Sequence, residues 1–242
     1  MTASGPGGPN VTASVTITVT PPGGGGTIAH QETRTGGSTN ATSVASASLT
    51  GVSGHLYLAA ISTKPHVAVN SVSGLGLTWT PVDVQCGGRS QTGVTLYKAQ
   101  GVPTGNGSVS AALAKLPKNA TIAVSRYSGV NATSPLGPNV VSANTRGLNG
   151  ACSGGTDNSA YSVNLPVTGS NAVVYSAVGI RHRTHTPGAG YTERVEFHQG
   201  SSGEAAGIAV QNRTVAAPGS VVVNGSVNSY LDWAVVTVEL RP

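Results

Sequence analysis

Charge is what this sequence has least of. Asp, Glu, Lys and Arg together make up 9% of its 242 residues. A disordered chain combines low hydrophobicity with high charge, but here the hydrophobic class still reaches 38%. The chain is therefore expected to fold. Its 13 Lys and Arg against 8 Asp and Glu leave a formal charge of +5, with no basic run anywhere. Nucleic-acid binders gather such charge on one face, often beside stacking aromatics, so no nucleic-acid partner is expected. Aromatics are also scarce, at 4% with a single Phe, so the core has to come from Val, Ala, Leu and Ile. No apolar run is long enough to cross a bilayer as a helix, and no membrane insertion is expected. No segment sustains a 3.6-residue apolar period, which excludes most helix. The opening Met1-Thr2-Ala3-Ser4-Gly5-Pro6 lacks the charged and apolar regions of a secretory signal. Met1 thus reads as the start of an excised segment, or of a virion or cytoplasmic protein that needed no signal.

What the chain does have is glycine, 34 residues of it, with 14 prolines. These punctuate strand-sized runs rich in Val, Thr, Tyr and Ile, the pattern of an all-β sandwich or barrel. Strands are expected at 55–62, 77–84, 94–99, 108–113 and 121–127, then at 172–180, 191–198, 205–210, 220–227 and 233–240. The runs 56–61, 173–178 and 234–238 are apolar on both faces and should be central. Residues 191–198 alternate, with Thr192, Arg194, Glu196 and His198 on one face. Ahead of all these, Val11, Ala13, Val15, Ile17 and Val19 alternate with Thr or Ser over residues 11–20, one half-buried strand. Pro21-Pro22-Gly23-Gly24-Gly25-Gly26 then forms a stiff-to-flexible linker.

The second half also echoes the first at an offset of roughly 112–116 residues. Gly76-Leu77-Thr78 falls on Gly190-Tyr191-Thr192, Gly107-Ser108-Val109 on Gly219-Ser220-Val221, and Ile122-Ala123-Val124 on Ala234-Val235-Val236. Self-similarity at this period signals a duplicated unit. The expected fold is all-β: a jelly-roll-like β-sandwich over 27–242 whose two sheets come from pseudo-repeated halves, about 27–130 and 131–242. An N-terminal extension (1–20) and the Pro/Gly linker (21–26) precede it. Two separate sandwiches in tandem are the alternative.

The phrases Gly76-Leu77-Thr78-Trp79-Thr80-Pro81-Val82, Val94-Thr95-Leu96-Tyr97-Lys98-Ala99 and Ser125-Arg126-Tyr127-Ser128-Gly129-Val130 resemble a poorly characterised bacterial β-sandwich module. The ending Trp233-Ala234-Val235-Val236-Thr237-Val238-Glu239-Leu240 is similar to its closing strand. Residues 11–20 resemble the last strand of an immunoglobulin-like domain. The resemblance implies a large secreted or cell-surface protein, in which such modules sit beside immunoglobulin-like or fibronectin-type domains. It implies no catalytic residues.

Candidate sites are few. Cys86 and Cys152 lie in loop-like contexts of a charge-poor, extracellular-looking chain and are expected to pair as a disulfide. Arg181, His182 and His185, followed by Arg194, Glu196 and His198, form the densest polar cluster and a candidate ligand-binding groove. His182, His185, Glu196 and His198 are of metal-ligating type. On one strand, however, His182 and His185 point to opposite faces, and the arginines repel a cation, so neither a metal nor any cofactor is expected. Gly150-Ala151-Cys152-Ser153-Gly154 has nucleophile-elbow spacing but lacks the following helix that such a site needs. Trp79, after a turn, is the candidate sugar-stacking surface, and Lys98 a candidate for a Lys–Asn crosslink. Seven Asn-x-Ser/Thr sequons begin at Asn10, Asn40, Asn106, Asn119, Asn131, Asn212 and Asn224. The expectation is a non-enzymatic extracellular structural or adhesive module. Its partners would be a surface glycan or further copies of itself, joined into a filament by donation of strand 11–20 through its Val11/Ala13/Val15/Ile17/Val19 face. A carbohydrate-binding module and a virion structural protein are the alternatives.

Overall fold

Alternating and doubly apolar runs do become strands. The computed structural model describes residues 26–242. The first half contains β1 (Ala29–Thr39), β2 (Ser43–Ala45), β3 (Leu56–Lys64), β4 (Val69–Gly74), β5 (Thr80–Cys86), β6 (Gly93–Gln100), β7 (Val109–Leu113) and β8 (Asn119–Ser128). The second contains β9 (Leu136–Asn144), β10 (Gly147–Leu148), β11 (Asn158–Val167), β12 (Ala172–Gly179), β13 (His185–Pro187), β14 (Thr192–Gln199), β15 (Ala206–Val215), β16 (Gly219–Leu231) and β17 (Ala234–Leu240). One 3-10 turn, Ser202–Glu204, is the only helical element among the described residues. All pairings are antiparallel.

The sheets repeat their order. In the first half a large sheet runs β1-β8-β3-β6-β5 and a small one β2-β7-β4. In the second half the large sheet runs β9-β17-β12-β15-β14, with β10 added outside β9, and the small one β11-β16-β13. Setting the short β10 aside, each strand of the first half has its counterpart at the same place in the second.

Period-two geometry then decides the layering. Leu56, Leu58 and Ala60 of β3 face the same core as Val173, Tyr175 and Ala177 of β12 and Val236, Val238 and Leu240 of β17. The intervening Tyr57, Ala59 and Ile61 face the first half's small sheet through Val72, Val109 and Ala111. Val174, Val178 and Val235 do the same for the second half, meeting Val163, Leu165 and Val223. The two large sheets, one from each half, therefore pack face to face, and a three-stranded sheet covers each outer side. Four layers enclose three cores. β3, β12 and β17 are buried on both faces, which is why their runs are continuously apolar rather than alternating. At the centre Tyr127 meets Tyr175 edge-to-face, ring centroids 6.2 Å apart, worth about 0.5–1.5 kcal/mol beyond burial.

Local features repeat as well. Gly76 and Gly190, both at positive φ (68° and 81°), precede the matching strands β5 and β14. The turns Gly74–Leu77 and Gly188–Tyr191 close with the same N–H···O bond, at 3.2 and 3.0 Å. Both outermost strands carry a bulge, between Pro81 and Asp83 in β5 and between Glu193 and Val195 in β14. One alignment from the sequence is out by a residue: Ile122 faces its own half's core, whereas Ala234 faces the shared one. A shift of one position exchanges the faces of a strand.

Candidate functional site

Cys86 closes β5 and Cys152 sits in the loop after β10; the two are disulfide-bonded across 66 residues, Cα atoms 5.4 Å apart. The bond joins the two halves, and polar contacts surround it. Asn144 Nδ2 donates to the carbonyls of Cys86 and Gly150, each at 2.8 Å. Gln85 Nε2 reaches Gly150 O at 2.9 Å, and Gly155 N donates to Gly88 O at 2.8 Å. Asp232, fully buried between β16 and β17, accepts the N–H groups of Arg89 and Gln91 from the opposite half, both at 2.9 Å. A Cβ on Gly87 would fall 2.4 Å from that carboxylate, so glycine is needed for the approach. Cys152 is thus a structural half-cystine.

The polar cluster expected around Arg181–His198 is only partly assembled. His185 is buried at the start of β13. Its Nδ1 lies 2.6 Å from Glu193 Oε1 and its Nε2 2.8 Å from the Tyr161 hydroxyl. A carboxylate only accepts, so Nδ1 donates to Glu193, and in the neutral ring Nε2 is the acceptor for the Tyr161 hydroxyl. The His185 N–H donates to Glu196 Oε2 at 2.8 Å, and Gly225 leaves the room that both rings need. A His–Glu pair resembles a base with its orienting acid, but the far nitrogen is held by Tyr161. Burial pushes that hydroxyl well above its ordinary pKa, with help from Tyr191 and Glu193. The arrangement is a buried hydrogen-bonded knot rather than a proton shuttle.

His198 stands beside Glu196 and meets Arg183 O at 3.1 Å. Burial, then Arg183 and Arg181, lower the pKa of His182. Arg181, at positive φ, donates through Nη2 to Gly203 O at 2.6 Å. Arg194 does not join them. The β14 bulge turns it to the shared core, where Nε donates to Asn212 Oδ1 at 2.9 Å and Asn212 in turn donates to the Tyr127 hydroxyl. An inserted residue re-aims a side chain in this way, and it breaks the expected Arg194/Glu196/His198 face. Among the described residues, no group of three or more His, Cys, Asp or Glu is placed to hold a metal.

Trp79 is not available for stacking on a sugar. It is buried in the first half's core, with Nε1 donating to Gly74 O at 3.2 Å. Tyr97 belongs to the same cluster, and Leu77 packs against it. Trp233 is likewise core. Lys98 lines an open cleft of about 500 Å³ with Ser53, Thr78, Thr80, Gln100 and Thr133. The sequons at Asn119 and Asn212 are buried, whereas Asn40 and Asn106 are exposed. The face Val11/Ala13/Val15/Ile17/Val19 and the linker up to Gly25 lie outside the described residues.

A feature the sequence left unmarked is the contrast between the two outermost strands. Beside β5 lies a mainly apolar gap of about 330 Å³, lined by Val69, Pro81, Val82, Val84 and Tyr97 together with Thr95 and Asp83. Val84 is 51% exposed. The corresponding side of β14 carries Glu193, Glu196 and His198. No known protein family, curated protein or solved structure matches the chain.

Proposed function

We propose that this chain is a non-enzymatic structural or adhesive module of an extracellular or surface-exposed assembly, akin to the bacterial modules its strand phrases resemble. The observation that carries the reading is the way the halves are joined. Two sandwiches of one strand order share an apolar core, and a disulfide and a buried carboxylate clamp the same junction. We read the order 1-8-3-6 over 2-7-4 as a jelly-roll winding whose fifth strand pairs with the sixth, duplicated in tandem. Such a body is a stiff spacer, and its disulfide suits an oxidising compartment. Immunogold labelling of native cells or particles with antibodies to residues 26–242 tests this. Labelling on the cell envelope or an external appendage supports it, labelling on a particle shell selects the virion form, and purely cytoplasmic labelling overturns it.

A carbohydrate-binding reading rests on the hydroxyl-rich cleft around Lys98, Thr80 and Gln100. Glycan-array binding lost in Lys98→Ala would favour it over a purely structural role.

A further inference from the structure

The gap beside β5 is a position that the first half leaves unfilled. Its large sheet has five strands and its small sheet three, so the inner face of β6 and β5 runs past the edge of β4. Each of β4 and β5 has a strand partner on one side only. Between these edges, Tyr97 and Thr95 form the floor with Pro81 and Val84, and Ala68 and Val69 form the wall. Most of these side chains are apolar; Thr95 and Asp83, the one charge of β5, also line the gap, and Asp83 Oδ1 accepts the Val84 N–H at 2.8 Å. Exposed edges are ordinarily guarded by charges, bulges or proline. β14, in the same place in the second half, has its charges: Glu193, Glu196 and His198 lie over buried His185. β5 has Pro81 and a bulge at its beginning but an exposed valine beyond them.

We propose that this gap receives residues 11–20 of a second copy of the chain. That segment is outside the described residues, and its sequence fits the vacancy. Val11, Ala13, Val15, Ile17 and Val19 form one apolar face, while Thr and Ser occupy the other. A strand inserted there satisfies its own backbone groups on a free edge and covers Val84 and Tyr97. Chain length favours the neighbour over the chain's own strand. Gly26 packs against Gly129 at the β1–β8 end of the large sheet. A strand in the gap, over β6 and β5, lies three to four strand spacings across the sheet and one layer down, roughly 17–22 Å in all. The six Cα–Cα steps from Thr20 to Gly26 stretch to roughly 20–22 Å at most, leaving little for the turn down into the gap. A neighbouring copy meets no such limit, and repeated head-to-tail donation does not close, so it builds a filament. The inference deepens the structural reading by naming the partner, and its test does not depend on where the protein resides.

Both native cysteines are in the disulfide, so added cysteines report cleanly. Chains carrying Val15→Cys and chains carrying Val84→Cys, the latter lengthened by an inert tag, are mixed and oxidised. A covalent heterodimer in several-fold excess over the homodimer from either variant alone is expected. A chain carrying both substitutions is expected to give a ladder of oligomers. No heterodimer above the homodimer background, or a doubly substituted chain that closes on itself as a monomer, overturns the proposal while leaving the structural-module reading intact. A second arm needs no substitution: a synthetic peptide of residues 9–22 should bind the chain lacking residues 1–25 and shorten assemblies of the full chain. Absence of binding overturns the proposal equally.

Discussion

β5 and β14 occupy one position in two sheets of the same order, yet they meet solvent differently. β5 borders a mainly apolar gap and exposes Val84. β14 covers the corresponding side with Glu193, Glu196 and His198, tied to buried His185 and Tyr161. The strand order and the turn glycines are common to both halves, so the difference lies in the side chains and in where each strand bulges. Two sheets of one strand order can thus differ at their edges: one is guarded by a polar knot, the other borders a largely apolar gap. The halves also differ at their junction, where the first supplies Cys86 and the Gly87–Gln91 turn, and the second supplies Cys152 and Asp232.

The largest effect is expected from cutting that junction. Closing a loop of 66 residues restricts the unfolded chain by about 4 kcal/mol. Cys152→Ser should lose most of this, read as a lower urea midpoint, and reductant should lower the wild-type midpoint but not that of the variant. Next comes the knot of the second half. His185→Leu strands the buried Tyr161 hydroxyl and unpairs the partly exposed Glu193 carboxylate, and should cost about 1–3 kcal/mol. Val84→Thr at the corresponding edge of the first half should change stability by less than about 0.5 kcal/mol. Equal costs in urea denaturation would erase the distinction drawn between the edges.

A smaller effect follows from pH. Burial, followed by the charge of Arg194 that the β14 bulge brings near, lowers the pKa of His30 from 6.5 to about 4. The folded chain therefore resists a proton that the unfolded chain accepts. This contribution is intact above pH 6.5 and is lost as pH falls toward 4. Because the ring is partly solvated, about 1 kcal/mol is expected rather than the full shift. Denaturation midpoints at pH 7 and 4.5 should move apart accordingly, and His30→Gln should narrow the difference. Val84→Glu, like Val84→Thr, should change stability by less than about 0.5 kcal/mol. By light scattering, however, it should abolish assembly of the full chain.

The strands buried on both faces, β3, β12 and β17, were legible in the sequence because their apolar runs leave no other reading. The cysteine pair was legible from its context in a charge-poor chain. β1 was not: Ala29–Thr39 is nearly all polar and is held by its pairing with β8 rather than by an apolar face. β11 carried a readable signal, Tyr161, Val163, Leu165 and Val167 at alternate positions, interrupted only by Pro166. At the candidate site, His185, Glu196 and His198 do come together, but Glu193 and Tyr161 complete the knot from positions that alternation assigned elsewhere or left unremarked. Arg194 escaped because a bulge is a three-dimensional event, and Trp79 because a turn does not announce which way the next ring will point. The open edge at Val84 arises because five strands lie over three, a mismatch that no single stretch of sequence carries.

Two sandwiches of one order form a single body through the core shared by Leu58, Leu96, Tyr175 and Val236. Scanning calorimetry of the oxidised protein reads out whether that body unfolds as a unit. One transition with equal calorimetric and van't Hoff enthalpies is the expected result. Two separated transitions, each carrying about half of the total enthalpy, would contradict it.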